Sequence, residues 1–133
     1  MATESRHIAE RIERPAAEVY AYAADPAHLP EWAAGLGDGI DQVDGRWFLR
    51  AGDGSVEIVF APRNELGVLD HSVTMPTGET IYVPMRVIAD GDGSEVVFTL
   101  RRLPGMTDEE LAHDEAAVVA DLTKLKEVLE RRG

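Results

Sequence analysis

The sequence predicts an α+β fold in which one curved antiparallel sheet wraps its apolar face around a long C-terminal helix. Three observations predict it: a strand followed by two short helices near the start, short apolar runs separated by turn residues from residue 39 onward, and helical periodicity in the last segment. A chain of 133 residues has room for one core, so residues 1–133 are expected to form a single domain. A sheet wrapped around the last helix is the compact arrangement of these elements.

The first elements are a strand and two short helices. Residues 6–14, RHIAERIER, have the length and the β-branched residues of a strand, which Pro15 ends. The next stretch, PAAEVYAYAA, predicts a helix because proline suits the first helical turn and good helix formers follow it. Asp25 and Pro26 repeat this start signal before AHLPEWAAGL, and the proline inside that piece keeps it short or irregular.

Six further strands are predicted between residues 39 and 103, where short apolar runs recur at a spacing typical of an antiparallel meander. The predicted strands are 39–43, 46–51, 55–62, 66–75, 79–89 and 94–103. Turn residues separate them at 44–45, 52–54, 76–78 and 90–93, and Asp-Gly pairs tolerate the positive φ angles of tight hairpin turns. Together with the first strand, they predict a seven-stranded sheet.

The last segment, TDEELAHDEAAVVADLTKLKEVLERR, is predicted to form one long helix. Thr107 and Glu110 have the spacing of a capping box, and apolar residues recur at helical spacing along the segment. Acidic residues dominate its first half and basic residues lie toward its end, which suits the helix dipole.

Composition limits which binding partners and which cellular compartment are expected. With 25 acidic residues against 13 lysines and arginines, the chain has a formal net charge of −12, and such a surface repels nucleic acid and anionic lipid. No apolar run approaches the roughly 20 residues that a membrane-spanning helix needs. The lack of cysteine, and of a signal-peptide pattern in MATESRHIAERIERP, makes the cytoplasm the expected compartment. The four histidines lack zinc-site spacing, and no helix follows the glycine-rich GLGDG at 35–39 as it would in a phosphate loop, so neither a metal nor a cofactor is expected.

The opening stretch IERPAAEVYAYAADPAHLPEWAAGL resembles that of START-like proteins, the SRPBCC or Bet v 1-like superfamily, in which a strand precedes Pro-x-x-x-Val-Tyr/Trp and then Asp-Pro…Trp. The resemblance continues through GVLDHSV, PMRV and GSEVVFTL to PGMTDEE, which leads into the last helix, and it covers essentially the whole chain. It is greatest with the polyketide cyclase/dehydrase-like group. Because one fold can carry many activities, the resemblance informs the fold more than the function.

The resemblance implies a helix-grip fold, with a seven-stranded antiparallel sheet, two small helices that close one end and a long helix across the concave face. It also implies an apolar cavity between helix and sheet. Two functions follow. The leading one is the binding of a small hydrophobic molecule without chemistry, and the alternative is a polyketide cyclase/dehydratase-type enzyme that uses His71 as general acid/base.

His71 lies in the strand predicted at 66–75, where alternate side chains point to opposite faces of the sheet. The more apolar face holds Leu69, His71, Val73 and Met75. We therefore expect His71 to point toward the helix and Asp70 toward solvent. A buried imidazole needs a hydrogen-bond partner, and Asp114, on the apolar stripe of the last helix, is the predicted one. The pair would either orient a catalytic base or tie the helix to the sheet.

Arg86 and Tyr82 share one face of the strand predicted at 79–89, and Pro84 lies between them. Proline cannot donate a ladder hydrogen bond and can mark a bulge. If the bulge turns this face inward, Tyr82 and Arg86 meet in the cavity, where Arg86 would bind a carboxylate or stabilise an enolate. If it does not, Arg86 is a solvated cation.

The residues expected to contact a ligand are mostly apolar or aromatic side chains on the predicted inner surfaces. They are Trp32, Leu69, His71, Val73, Tyr82, Met85, Phe98, Leu111 and Val118. By resemblance, Trp32 belongs to the helical lid at the cavity mouth. The enzyme alternative assigns catalysis to His71, Asp114 and Arg86. A homodimer through the open face or the edge of the sheet is a further expectation.

Overall fold

The structure, a computed structural model, describes residues 4–33, 39–51 and 54–132. Within them the strands are β1 (Ser5–Ile12), β2 (Ile40–Val43), β3 (Arg46–Ala51), β4 (Gly54–Phe60), β5 (His71–Thr74), β6 (Thr80–Val83), β7 (Met85–Asp90) and β8 (Gly93–Arg101). The helices are α1 (Ala16–Ala23), α2 (Leu29–Trp32) and α3 (Asp108–Arg131), and a 3₁₀ turn at Pro26–His28 leads into α2. The predicted α+β class and element order are confirmed.

The described strands form two antiparallel sheets, with the orders β1-β8-β7 and β2-β3-β4-β5-β6. The predicted count of seven strands is wrong by one, because the strand predicted at 79–89 is divided at Pro84. Before the proline, β6 pairs with β5; after it, β7 pairs with β8. Since proline has no N–H, Pro84 cannot return the hydrogen bond that its carbonyl accepts from the N–H of Thr99 at 3.0 Å, and the β7–β8 ladder begins only at Met85.

The register nevertheless continues across the interruption. His71 is paired with Val83 on one side of it, and Val68 forms an isolated bridge with Arg86 on the other. Both pairs belong to one unshifted antiparallel register, in which Asp70 lies opposite Pro84. The strand predicted at 66–75 therefore exists as an extended segment, although its regular part begins only at β5.

Two turn predictions have different outcomes. Asp44 and Gly45 connect β2 to β3 with φ angles of 52° and 78°. Positive φ at both positions is the geometry of a type I′ hairpin turn, which explains the Asp-Gly pair. The turn predicted at 52–54 lies mostly outside the described residues, which resume at Gly54.

Helix α3 begins with a complete capping box. The Thr107 side chain accepts a hydrogen bond from the N–H of Glu110, and the Glu110 carboxylate accepts one from the N–H of Thr107. One side of the helix is buried through Leu111, Leu122, Leu125 and Leu129. The helix packs chiefly against β1 and α2. None of the helices in the described part of the chain is both long and apolar enough to cross a membrane.

The main core lies where the two short helices and the second half of α3 meet the sheet. Its fully buried side chains include Ile12, Val19, Leu29, Leu49, Ile58, Val96, Leu122, Leu125 and Leu129. These residues fix α3 across one side of the sheet, and the predicted site lies beyond them, around β5.

Candidate functional site

His71 opens β5 and is 7% exposed, so the prediction that it points into the protein is confirmed. Its imidazole lies beside two aromatic rings. The ring centroid of Phe60, its cross-strand neighbour, is 5.1 Å away, and that of Phe98 is 6.3 Å away. Both phenylalanines are only partly buried. His71 is therefore part of an apolar surface on the inner side of the sheet.

The imidazole of His71 forms a hydrogen bond with the backbone just before its own strand. Its Nδ1 atom lies 3.0 Å from the carbonyl oxygen of Leu69. A carbonyl only accepts hydrogen bonds, so we assign the proton to Nδ1. In the neutral ring Nε2 then carries a lone pair, and it has no hydrogen bond with any residue that the structure describes.

Burial lowers the pKa of His71 below its ordinary value of 6.5, because a charged imidazole would lose its hydration there. The Leu69 carbonyl and the charge of Asp70 raise the pKa, but by less than burial lowers it. His71 is therefore neutral at pH 7, and Nε2 can accept a hydrogen bond or a proton.

Asp70 is 6% exposed, so the expectation that it points to solvent is wrong. Its carboxylate accepts hydrogen bonds from Nε and Nη2 of Arg86, both at 3.0 Å, from the hydroxyl of Tyr82 at 2.6 Å and from the backbone N–H of Met85 at 2.9 Å. The bonds with Arg86 hold the pKa of Asp70 well below its usual range, against the opposing effect of burial, and those with Tyr82 and Met85 lower it further. We call Asp70, Tyr82 and Arg86 the Asp70 cluster.

The Asp70 cluster lies on the side of the sheet opposite to His71. Tyr82 is 54% exposed and the side chain of Arg86 is 51% exposed, so neither lines the interior. The prediction that they share a face is confirmed, but the predicted role of Tyr82 as an inner ligand contact is wrong. Of the two alternatives for Arg86, the inward one, with its tentative catalytic role, is wrong, and the outward cation is paired with Asp70. The physical reason is that Pro84 interrupts the ladder without shifting its register, so the alternation of faces persists.

Asp114 is also not where it was predicted to act. It is partly buried in the first half of α3 and borders an open cleft with Thr107, Glu110 and His113. Among the described residues, no hydrogen bond joins Asp114 to His71, so the predicted pair is wrong. Nδ1 of His71 bonds instead to a carbonyl two residues away in the chain.

The remaining predicted contacts differ in burial. Trp32, Leu69, Val73, Met85 and Leu111 are buried, whereas Phe98 and Val118 are partly buried. The indole Nε1 of Trp32 is a buried donor that has no hydrogen-bond partner among the described residues. Leaving such a donor unpaired costs about 1–3 kcal/mol.

The buried stripe of α3 is interrupted in its middle. Leu111 is fully buried but lies outside the contiguous core cluster, which the helix rejoins at Leu122. Val118 lies on the same stripe between them and is only partly buried. Because a close-packed core buries its side chains throughout, this pattern means that the middle of α3 is less completely covered than the positions of Leu111 and Leu122.

The predicted ligand set omitted three inner-face residues near His71: Phe60, Met75 and Val83. Phe60 and Val83 are the cross-strand neighbours of His71 on its two sides. All three are partly buried and pack against the core. The alternation within one strand gives the face of a residue but not its neighbours on the next strand, and these neighbours complete the surface.

A second group, at the C-terminal end of α3, was not predicted at all. The Tyr22 ring stacks on His28 with centroids 4.1 Å apart, and the Arg132 guanidinium lies 4.9 Å from the same ring centroid. The Tyr22 hydroxyl donates to Glu31, and burial, followed by this bond, raises the pKa of Tyr22 well above its ordinary value. Tyr22, His28 and Arg132 border an open cleft of about 520 Å³. These contacts tie both short helices to the end of α3.

Comparison with known proteins identifies the fold. No protein-family model matches the chain, and no curated protein matches its sequence significantly. Among solved structures, Ara h 8.0201 is similar with a TM-score of 0.74 and 14% identity, over 98% of this chain and 99% of that one. The Zhui aromatase/cyclase from Streptomyces sp. R1128 is similar with a TM-score of 0.70 and 16% identity, over 98% of this chain and 96% of that one.

A third similar structure is DynU16, from the dynemicin biosynthetic locus, with a TM-score of 0.72 and 18% identity over 95% of this chain. The chain spans only 47% of DynU16, about half of its length. At these identities the likeness establishes the fold alone. The chain has the helix-grip fold of START-like, Bet v 1-like and polyketide cyclase-type proteins, as its sequence predicts.

Proposed function

We propose that this chain, a helix-grip protein with the fold of the START-like superfamily, binds one small apolar molecule between the inner face of the sheet and the middle of α3. One observation carries the proposal: a set of apolar side chains faces inward but is only partly buried. These are Phe60, Met75, Val83, Phe98 and Val118. Covering such a surface with an apolar ligand is favourable by roughly 25 cal/mol per Å² of apolar area.

The interruption of the buried stripe of α3 supports the same location. Leu111 and Leu122 are buried on either side of the partly buried Val118, so a ligand in front of the middle of the helix would cover the less buried part of this stripe. His71 and its two aromatic neighbours lie on the sheet side. An apolar site with few polar groups is the usual form of a small-molecule pocket.

The enzyme alternative is less well supported. Arg86 and Tyr82, which would stabilise an oxyanion, lie on the outer side of the sheet, and Asp114, which would orient the base, does not contact His71. A neutral His71 with a free Nε2 remains, and it can accept a hydrogen bond without help. General acid/base catalysis would also need a group that stabilises the developing charge. Although an aromatase/cyclase shares the fold, fold alone does not transfer its chemistry.

A fluorescence titration with 1-anilinonaphthalene-8-sulfonate tests the location of the site. Val118 is partly buried in the middle of α3, and its neighbour Val119 is 44% exposed, so they form a matched pair. We expect Val118→Trp to fill the space and to weaken probe binding at least tenfold, whereas Val119→Trp places its indole in solvent and keeps wild-type affinity. Saturable binding that Val118→Trp leaves unchanged would overturn the proposal.

A further inference from the structure

We propose that Asp70 is a positioning residue: from the outer side of the sheet it sets the tautomer of His71 on the inner side, and so fixes the hydrogen-bonding group that a ligand must bring. The part that concerns the ligand rests on the function proposed above. The part that concerns the tautomer stands on the hydrogen bonds alone.

The first step is the loss of one of two backbone hydrogen bonds expected between Leu69 and Met85. The N–H of Val87 donates to the carbonyl of Gly67 at 2.8 Å, so Gly67 and Val87 form a hydrogen-bonded pair of the antiparallel ladder. Leu69 and Met85 form the next such pair, and each should donate a hydrogen bond to the other. One of them is present, because the N–H of Leu69 donates to the carbonyl of Met85 at 2.8 Å. The N–H of Met85, however, donates to Oδ1 of Asp70 at 2.9 Å.

The second step concerns the carbonyl of Leu69, which receives no hydrogen bond from the N–H of Met85. The Leu69 carbonyl has lost its ladder donor, and Nδ1 of His71 occupies its place at 3.0 Å. A backbone carbonyl accepts only, so it selects the tautomer with the proton on Nδ1. Asp70 thus acts on His71 without touching it, through the backbone groups of Met85 and Leu69.

The third step concerns the ligand. With the proton on Nδ1, the ring has an acceptor at Nε2, and the rings of Phe60 and Phe98 lie beside the imidazole. An apolar molecule that carries a hydroxyl or N–H group at this point satisfies the acceptor. An ether of the same shape leaves Nε2 unpaired and gains only from apolar contact. The site is therefore selective for ligands with a hydrogen-bond donor beside an aromatic or other apolar body.

Nitrogen-15 NMR of the histidine rings in the ligand-free protein at pH 7.5 tests the tautomer. Asp70→Ala removes the acceptor of the Met85 N–H; Asp70→Asn keeps an oxygen acceptor without the charge, and Arg86→Gln keeps the carboxylate without the ion pair. We expect the Nδ1–H tautomer in wild type, Asp70→Asn and Arg86→Gln, and a several-fold larger Nε2–H population in Asp70→Ala. A purely structural role would lower stability in all three variants and leave the tautomer unchanged, and that result would overturn the proposal.

Two measurements on the wild-type protein test the same claim if Asp70→Ala does not fold. A coupling across the hydrogen bond from the Met85 amide should reach the side-chain carboxyl carbon of Asp70 and not the carbonyl carbon of Leu69. The His71 ring should show the Nδ1–H pattern. A coupling to Leu69, or the Nε2–H pattern in wild type, would overturn the positioning role.

Binding of 1-naphthol and 1-methoxynaphthalene tests the ligand part. We expect wild type to bind the naphthol at least tenfold more tightly than its methyl ether, and Asp70→Ala to lose this preference. Equal binding of both probes to a wild-type protein with the Nδ1–H tautomer would overturn the ligand part. If neither probe binds while the tautomers behave as expected, the proposed function fails and the positioning role of Asp70 is supported.

Discussion

The carboxylate of Asp70 and the guanidinium of Arg86 form a two-point ion pair, with Oδ1 3.0 Å from Nε and Oδ2 3.0 Å from Nη2. The carboxylate is buried, whereas about half of the Arg86 side chain is exposed. The ion pair therefore keeps the buried carboxylate of Asp70 charged. The same carboxylate accepts a hydrogen bond from the N–H of Met85, the residue that follows Pro84. Through the backbone groups of Met85 and Leu69, this carboxylate on the outer face of the sheet acts on His71 on the inner face.

Removal of the Asp70 carboxylate should destabilise the fold. We expect Asp70→Ala to lower the free energy of unfolding by about 2–4 kcal/mol, because a buried backbone N–H and three side-chain donor groups lose their acceptor. Urea unfolding measures the loss. The pair of Arg46 and Glu57, with two bonds at 2.8 Å on the protein surface, is the matched control, and Glu57→Ala should cost less than about 1 kcal/mol. Equal losses would contradict a special role for Asp70.

Acid should remove the contribution of Asp70. Its bonds with Arg86 lower the pKa of this carboxyl from an ordinary value of 3.8, so its stabilisation is fully present above about pH 5 and is lost as the pH falls toward the folded-state pKa. Asp70→Asn lacks this titration. The difference in unfolding free energy between wild type and Asp70→Asn should be constant from pH 7 to 5 and should shrink below about pH 4. A constant difference down to pH 3 would contradict the assignment.

His71 should give the chain a second pH dependence, at a higher pH. Burial lowers its pKa below 6.5, so the unfolded chain takes up a proton that the folded chain resists, and stability falls as the pH drops through about 6.5. The variant His71→Gln should lose less stability than wild type between pH 7.5 and 5.5 in urea titrations. The same loss in both proteins would mean that His71 titrates freely in the folded state.

The local features of the fold could be predicted because near neighbours in the chain determine them. Thr107 and Glu110 fix the start of α3, and Asp44 and Gly45 fix a hairpin turn. Asp70 marks the limit of such reasoning. Alternation along the strand correctly placed it opposite to His71, but its burial depends on Pro84 and Arg86, which reach it only through strand pairing.

The candidate site shows the same limit. Helical phase gives the direction of Asp114 but not its distance from the sheet, and the nearby carbonyl of Leu69 bonds to Nδ1 of His71 instead. The break in the buried stripe at Val118 could not be foreseen, because hydrophobicity alone does not separate core lining from cavity lining. The ligand contacts other than Tyr82, the single-domain extent, the homodimer and the cytoplasmic location stay predictions.

Gly67 should be intolerant of a side chain. Its φ of 75° disfavours other residues, and an added Cβ would overlap the carbonyl oxygen of Val87 in the strand pair that supports the Asp70 cluster. Gly78 has a φ of 94° and open space around it, so Gly78→Ala measures the cost of a positive φ without any steric overlap. We expect Gly78→Ala to cost about 1 kcal/mol and Gly67→Ala at least about 2 kcal/mol more, by thermal unfolding. Similar small losses would contradict the close approach.

The central claim is that one small molecule occupies the space between the sheet and the middle of α3. Native mass spectrometry after incubation with a hydrophobic metabolite extract tests it most directly, with wild type, Val118→Trp and Val119→Trp in parallel. We expect wild type and Val119→Trp each to retain one small molecule, which denaturation releases, and Val118→Trp to retain none. No retention by wild type, or equal retention by all three proteins, would contradict the claim.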